Sequence, residues 1–443
     1  MKSSILVKLV LSGFIALLLL VPMAMVQSVV DERQRRRNEA IAEVTEKWGS
    51  SQTFVGPILS IPYVVSWKDQ AGETHSRVER VQVLPDRLKI EGTVSPQIRR
   101  RGIFEVVLYG LDLKVTGLMA SPDLAALGVA PEVVLWKDAT LSIGITDTRG
   151  AKEQLKLGWD GGEIPFRPSA GGDPVLSSGI HALLPGFPDG GKSHPFAFQV
   201  KLQGSQLLSF APLATETEVA LVSTWPHPSF TGAFLPESRS VTPTGFTASW
   251  RVSHFGRNYP QQWKTEGTDL NVLKASLASS VFGVNFYRPA DFYQQATRSI
   301  KYAILFIILT FTAFFLFEVF AGLRLHPLQY MLVGFALSLF YLLLVSVSEH
   351  AGFTSAYLVA AVATIGLITG YCVAILGQAR RAVVIGGLLA TLYAYLFVLL
   401  RVEDYALLMG SVALFVVLAV VMYVTRRIDW YAVGSVRPST NAT

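Results

Sequence analysis

Apolar residues are arranged in two ways in this chain. In six places they run on almost unbroken: residues 9–26, 302–322, 328–347, 356–376, 382–400 and 405–424. A helix rising 1.5 Å per residue needs roughly 20 apolar residues to cross a hydrocarbon core of about 30 Å, and each run is long enough. Between the first and second runs, apolar residues come instead in short β-branched and aromatic stretches with partial alternation. Examples are VGPILSIPYVVSW, VERVQVLP, GIFEVVLYGLDLKVTG, HPFAFQVKLQG and GFTASWRVSHF. Glycine pairs at 161–162, 171–172 and 190–191 mark turns between them. The expected fold is an α+β membrane protein: one transmembrane helix, a large all-β, antiparallel, sandwich-like domain, then five transmembrane helices.

The expected divisions are a signal anchor at 1–30, a juxtamembrane helix at 31–53, a β domain at 54–267, a helical connector at 268–301, a five-helix bundle at 302–425 and a tail at 426–443. The first apolar run is longer than that of a cleaved signal peptide, and Met23-Ala24-Met25-Val26 is a poor cleavage site, so an uncleaved anchor is expected. Ile41, Val44 and Trp48 recur at helical spacing, and Gly49 ends that helix. Leu270, Leu273 and Leu277 mark a short helix at 269–280. Pro289 suits the first turn of a further helix, which is expected to run straight into the membrane at Tyr302. The second and third runs are joined by a turn holding Arg324, His326 and Pro327, too short for anything but an antiparallel helix hairpin.

Charged residues make up only 16% of the 443, against about 25% in a soluble domain. Much of the net charge of +6 comes from arginines beside apolar runs. That points to lipid headgroups rather than nucleic acid, for which no motif is present. Cys372 is the one cysteine, which excludes an intramolecular disulfide and a cysteine metal site. Short loops orient the chain. Lys2, Lys8, Arg324, Arg380, Arg381, Arg426 and Arg427 fall on one side; Glu349, His350, Arg401, Glu403 and Asp404 fall on the other. The expectation is N-in and C-in, with the β domain outside. The cluster Arg33, Arg35, Arg36 and Arg37, with Arg298 and Lys301, counts against this, but long domains translocate despite their charge.

Candidate chemistry is sparse. The histidines of the β region form no HxH, HExxH or HxxxH pair, and no GxSxG elbow, P-loop or dinucleotide fingerprint occurs. No catalytic residue, cofactor site or metal site is expected. The β domain reads as a binding or structural module. Glu318 is the one charge inside the hairpin's apolar runs, and acids are costly there. A hydrogen bond that locks the hairpin, with His326 and Gln329 facing Glu318, is the plain reading; a proton or ion relay is the sharper one. Glu349 and His350 end a span, and pairing with Arg401 or capping of backbone groups is expected. A pH-sensitive contact is the alternative. Arg33, Arg35, Arg36 and Arg37 are candidate contacts for lipid phosphates or a partner. In WPHPSF, Pro226 and Pro228 hold His227 extended, and Trp225 and Phe230 can anchor it in the core. A corner of the fold is expected, with a ligand site as the alternative.

Three blocks carry a family likeness. The first is Trp48-Gly49 to Gln52, with Gly56-Pro57-Ile58-Leu59 and Ile61-Pro62-Tyr63. The second is Trp225-Pro226-His227-Pro228-Ser229-Phe230 with Phe234-Leu235-Pro236 and Gly245-Phe246-Thr247-Ala248-Ser249-Trp250. The third runs from Lys301-Tyr302-Ala303 through Phe317-Glu318, His326-Pro327, Gln329-Tyr330 and Phe340-Tyr341 to Ser348-Glu349-His350. In these the chain resembles the CreD family of bacterial inner-membrane proteins. It departs at Ala296-Thr297-Arg298, where Asp-Arg-Ala is expected. The resemblance implies a role in cell-envelope integrity and in envelope-stress, antibiotic and colicin tolerance, and no reaction, cofactor or catalytic residue. The partners expected are the lipid bilayer, with envelope proteins or anionic lipids beside it. The alternative is a transporter or lipid-handling protein that uses Glu318; a membrane hydrolase ranks last.

Overall fold

The computed structural model describes residues 5–150, 154–184, 192–286, 292–321, 325–402 and 405–426. Lys2, Pro289, Arg324, Glu403, Asp404, Arg427, the glycine pair at 190–191 and nearly all of the expected tail lie outside these described residues. The helices are α1 (Ile5–Leu18), α2 (Leu20–Trp48), α3 (Leu270–Ser280), α4 (Phe292–Lys301), α5 (Ala303–Ala321), α6 (Pro327–Ala351), α7 (Phe353–Leu376), α8 (Ala379–Arg401) and α9 (Ala406–Thr425). The strands are β1 (Gln52–Lys68), β2 (Thr74–Val83), β3 (Arg87–Arg101), β4 (Phe104–Met119), β5 (Thr140–Ile145), β6 (Lys156–Trp159), β7 (Gly162–Pro165), β8 (Arg167–Pro168), β9 (Gly179–Leu183), β10 (His194–Ser205), β11 (Leu207–Phe210), β12 (Glu216–Ser223), β13 (Pro228–Gly232), β14 (Ser238–Thr242), β15 (Gly245–Ser253), β16 (Gln262–Lys264) and β17 (Phe282–Phe286). The chain divides into two units: Met1–Arg37 with Ala290–Thr443, and Asn38–Pro289.

In the helical unit, the long apolar runs become helices because a chain in lipid must satisfy its backbone groups within itself. Among the described residues, five helices are long and apolar enough to cross a membrane, or six if a bent pair counts as one span. The bent pair is α4 and α5, which meet at 44°. This corrects the expectation of a helix running straight into the membrane at Tyr302. The residue pattern explains the bend. α4 buries Tyr293, Ala296 and Ser299 on one face and carries Gln294, Gln295, Arg298 and Lys301 elsewhere. Such an amphipathic pattern suits a membrane surface, whereas α5 is apolar on every side apart from Glu318 near its end. A core of Leu19, Ile307, Phe340, Ala360, Leu389 and Leu396, with their neighbours, holds the helices together.

In the β unit, two sheets enclose one hydrophobic core. One runs β13-β17-β11-β1-β5-β9-β8, with β2 and then β16 added at β1; the other runs β14-β15-β12-β3-β4-β10-β6-β7. Strand β3 begins in strict alternation, with Leu88, Ile90 and Val94 inside and Arg87, Lys89 and Glu91 outside. A half-buried strand requires that period of two. Two features differ from expectation. The sheets are not wholly antiparallel, since β1 pairs with β11 and β12 with β3 in parallel. The region read as a purely helical connector contains β17, which pairs with both β11 and β13. Phe282, Val284 and Phe286 alternate into the core, so the β domain extends past 267. Gly283 sits where a Cβ would meet the Leu208 carbonyl oxygen at 2.0 Å, so only glycine lets the two strands approach so closely.

Candidate functional site

Two carboxylates of the helical unit accept hydrogen bonds from tyrosines. Glu318, near the end of α5, is 6% exposed. Its Oε1 accepts from the Leu325 amide at 3.2 Å, and its Oε2 accepts from the Tyr330 hydroxyl at 3.1 Å. The Tyr330 ring is held edge-on by Phe311 and Phe314, at 5.5 and 6.1 Å between centroids. The polar contacts shown for Glu318 are therefore to Tyr330 and a turn amide. His326 and Gln329, expected to face it, instead build the cap of α6. The Leu328 amide donates to His326 Nδ1 at 3.2 Å, and the His326 amide donates to Gln329 Oε1 at 2.9 Å. Pro327 occupies the first turn, where its missing N–H costs nothing.

Glu349, at the other end of α6, accepts from the Tyr293 hydroxyl at 2.9 Å and lies 3.6 Å from Arg33 Nε. The expected pairing with Arg401 is not formed. Arg401 lies over the Phe397 ring at 4.7 Å and donates to Thr354 Oγ1 at 3.4 Å. His350 Nδ1 lies 3.3 Å from the Ser346 carbonyl of its own helix. Of the arginine cluster, Arg33 engages Glu349 and Arg36 pairs with Glu32 one turn away; Arg35 is exposed and Arg37 half-buried. The contributions of Tyr293 and Tyr330 escaped the sequence reading. Their signal was a tyrosine within the turn next to a helix end.

In the β unit, Trp225 is buried, and its Nε1 donates to the His227 carbonyl at 3.0 Å. Its ring meets Phe286 edge-on at 6.5 Å. The His227 side chain is exposed, so its backbone, not its imidazole, makes this contact. His194 and His181 are engaged in local structure. His194 Nδ1 lies 2.5 Å from Asp160 Oδ2, and its ring stacks on Trp159. Ser169, at φ 92°, places its Oγ 3.4 Å from His181 Nδ1. That nitrogen is closer to the Ser169 carbonyl, at 2.9 Å. A ring nitrogen that donates to a carbonyl cannot also accept a hydroxyl proton, so the pair is no nucleophile and base. Asp69, Glu73 and His75 bring ligand atoms within 4.8 Å of one another on the exposed β1–β2 turn. Asp69 already accepts from the amides of Ala71 and Glu73, each at 2.9 Å, which is turn chemistry.

One concavity of the β unit is a cleft of about 300 Å³ between α3 and the face of β1 and β5. Asp269 caps α3, accepting from the amides of Asn271 and Val272 at 2.9 and 3.3 Å. Leu273 and Leu277 then anchor the helix on Ile58, Leu84, Ala211 and Trp263. The third wall is the loop 173–178. Its Asp173 Oδ1 accepts from the amides of Val175 and Leu176 at 2.8 and 3.3 Å. Asp173 is 5% exposed, and its Oδ2 is buried with no hydrogen-bond partner. Burial pushes its carboxyl up to about 6. The sequence reading gave no hint of this cleft, because its residues come from five separated stretches.

Residues 4–431 match the family described as "Inner membrane protein CreD". The chain is 35% identical over 423 residues to the Escherichia coli (strain K12) inner membrane protein CreD, covering 94% of this chain and 91% of that one. Among solved structures, an M1 zinc metallopeptidase mutant from Deinococcus radiodurans matches 38% of this chain and 39% of its own at 9% identity. Its TM-score of 0.20 is too slight to bear on the fold. With a family match across nearly the whole length and helices apolar enough to span lipid several times, the chain belongs to the CreD family and is a multi-pass inner membrane protein.

Proposed function

We propose that this protein supports the integrity of the cell envelope, including tolerance of envelope stress, antibiotics and colicins, as a non-enzymatic inner-membrane protein. Its β domain stands on the periplasmic side and acts as a binding or sensing module. The observation that carries this reading is the cleft beside α3: a preformed, mostly apolar concavity with few polar groups, as ligand sites commonly are. The ties that hold Glu318, His181 and His194 in local structure favour a binding role over chemistry.

The test is complementation of a strain lacking the gene, read as uptake of a dye that an intact envelope excludes. Ala278 is an exposed residue lining the cleft, so Ala278→Phe fills the space without entering the core. The expected result is a variant of wild-type abundance that fails to restore the barrier. Full restoration by Ala278→Phe would end the reading of the β domain as the working part.

A further inference from the structure

We infer that the cleft beside α3 takes one single-chain amphiphile with an anionic headgroup, its chain against Val55, Val175, Leu176, Leu277 and Val281 and its headgroup at Lys274. This rests on the reading of the β domain as a binding module and names the class of molecule bound. The walls are apolar, and the one charged residue among those lining the cleft is Lys274, on the exposed side of α3. No carboxylate is exposed on the cleft's lining; Asp173, buried behind the loop wall, acts on Lys274 electrostatically without forming an ion pair with it, and the exposed Lys274 can still meet an anion. The hydroxyls of Thr53, Thr146, Ser177 and Ser178 complete a polar edge.

An extended peptide fits less well. Peptide recognition by strand addition needs a free sheet edge. Here Val55 faces Gly144, Gly144 faces Gly179, and the Ile145 amide donates to the Ser178 carbonyl at 3.3 Å. The backbone groups of the walls are thus already paired, leaving side chains to make the contacts. Size decides between one chain and two. About 300 Å³ stands at the small end of ligand pockets, which run from roughly 300 to 1,000 Å³. The wall at Val175 and Leu176 is also held in place before anything binds, because the buried Asp173 carboxylate fixes both amides. A pre-ordered wall reduces the ordering cost of binding.

The test uses the full chain in lipid nanodiscs with three photoreactive probes: dodecanoic acid carrying a diazirine, its neutral alcohol counterpart, and phosphatidylglycerol with a photoreactive acyl chain. Labelled peptides are mapped by mass spectrometry. The expected result is labelling by the acid at residues 173–178 and on α3, displaced by unlabelled dodecanoate. Labelling falls about tenfold or more in Ala278→Phe and about fivefold in Lys274→Ala, the scale set by one partly exposed charge. Equal cleft labelling by the neutral alcohol, stronger labelling by phosphatidylglycerol, or acid labelling that unlabelled dodecanoate does not displace would each overturn the inference. Displaceable cleft labelling together with full barrier restoration by Ala278→Phe keeps this ligand and removes the proposed function. Loss of the barrier in Ala278→Phe without cleft labelling in the wild type keeps that function and removes this ligand.

Discussion

Asp173 is a buried carboxylate with half its hydrogen-bonding capacity unused, and such a group weakens the fold whenever it is charged. Its folded value of about 6 stands above its ordinary 3.8. The folded chain therefore holds the proton more tightly than the unfolded chain. The neutral form's advantage is complete below the ordinary value and is lost as pH rises through about 6. Arg80 and Lys274 are the nearby cations, and they offset burial only in part. The gap between these two values corresponds to roughly 3 kcal/mol at neutral pH. Asp173→Asn keeps an oxygen for the Val175 and Leu176 amides and cannot ionise. Its melting temperature in detergent is expected to exceed the wild type's at about pH 7.5, and to converge with it near pH 4. A constant difference across that range would show that the charge is not the cause. Nothing in GGDPV announces this, since Gly-Gly-Asp-Pro reads as an exposed turn. Only the tertiary fold, which lays α3 and β5 over the loop, turns a surface residue type into a buried one.

The α5–α6 hairpin was legible in the sequence because length and apolarity alone decide it; its lock was not. The sequence paired Glu318 with His326 and Gln329 by nearness along the chain. A helix beginning at Pro327 needs a cap, and the side chain of His326 is used for it, leaving Tyr330 to reach Glu318. Removing the acceptor leaves the Leu325 amide and the Tyr330 hydroxyl without it in a buried site, and each such group costs about 1–3 kcal/mol. Glu318→Ala is expected to lower stability by about 2–6 kcal/mol and Tyr330→Phe by about 1.5–3, measured as melting in detergent. Glu318→Gln retains an acceptor and is expected to stay near wild type in both melting and barrier complementation. A Gln variant that melts normally yet fails to complement would assign Glu318 to proton or ion movement instead of to the hairpin. The strand β17 is the opposite case. Phe282, Val284 and Phe286 alternate as a strand should, but five residues between two helical patterns are too short for periodicity to decide.

Orientation is a property of the whole chain, and two contacts inside the helical unit bear on it. Arg33 on α2 meets Glu349 at the end of α6, so the arginine cluster and the end of α6 lie at the same end of the unit. Ser12 and Gly13 of α1 share a cavity with Val421 and Thr425 of α9, so the middle of α1 lies beside the end of α9. With positive short loops kept in the cytoplasm, the proposed arrangement places Arg380 and Arg381 inside and the β domain in the periplasm. The arginine cluster is then the exception to the charge rule, and its geometry lessens the conflict. Glu349 meets one of those charges and Glu32 another, at 2.6 Å from Arg36. Single cysteines in a Cys372→Ala background decide the matter, because Cys372 is the chain's one thiol and is buried. Thr74→Cys, on the exposed β2 arm, is expected to react with a membrane-impermeant maleimide once the outer membrane alone is opened. Gln378→Cys, exposed between α7 and α8, is expected to react only after the inner membrane is breached. The reverse order would put the β domain in the cytoplasm and detach the cleft from any periplasmic ligand.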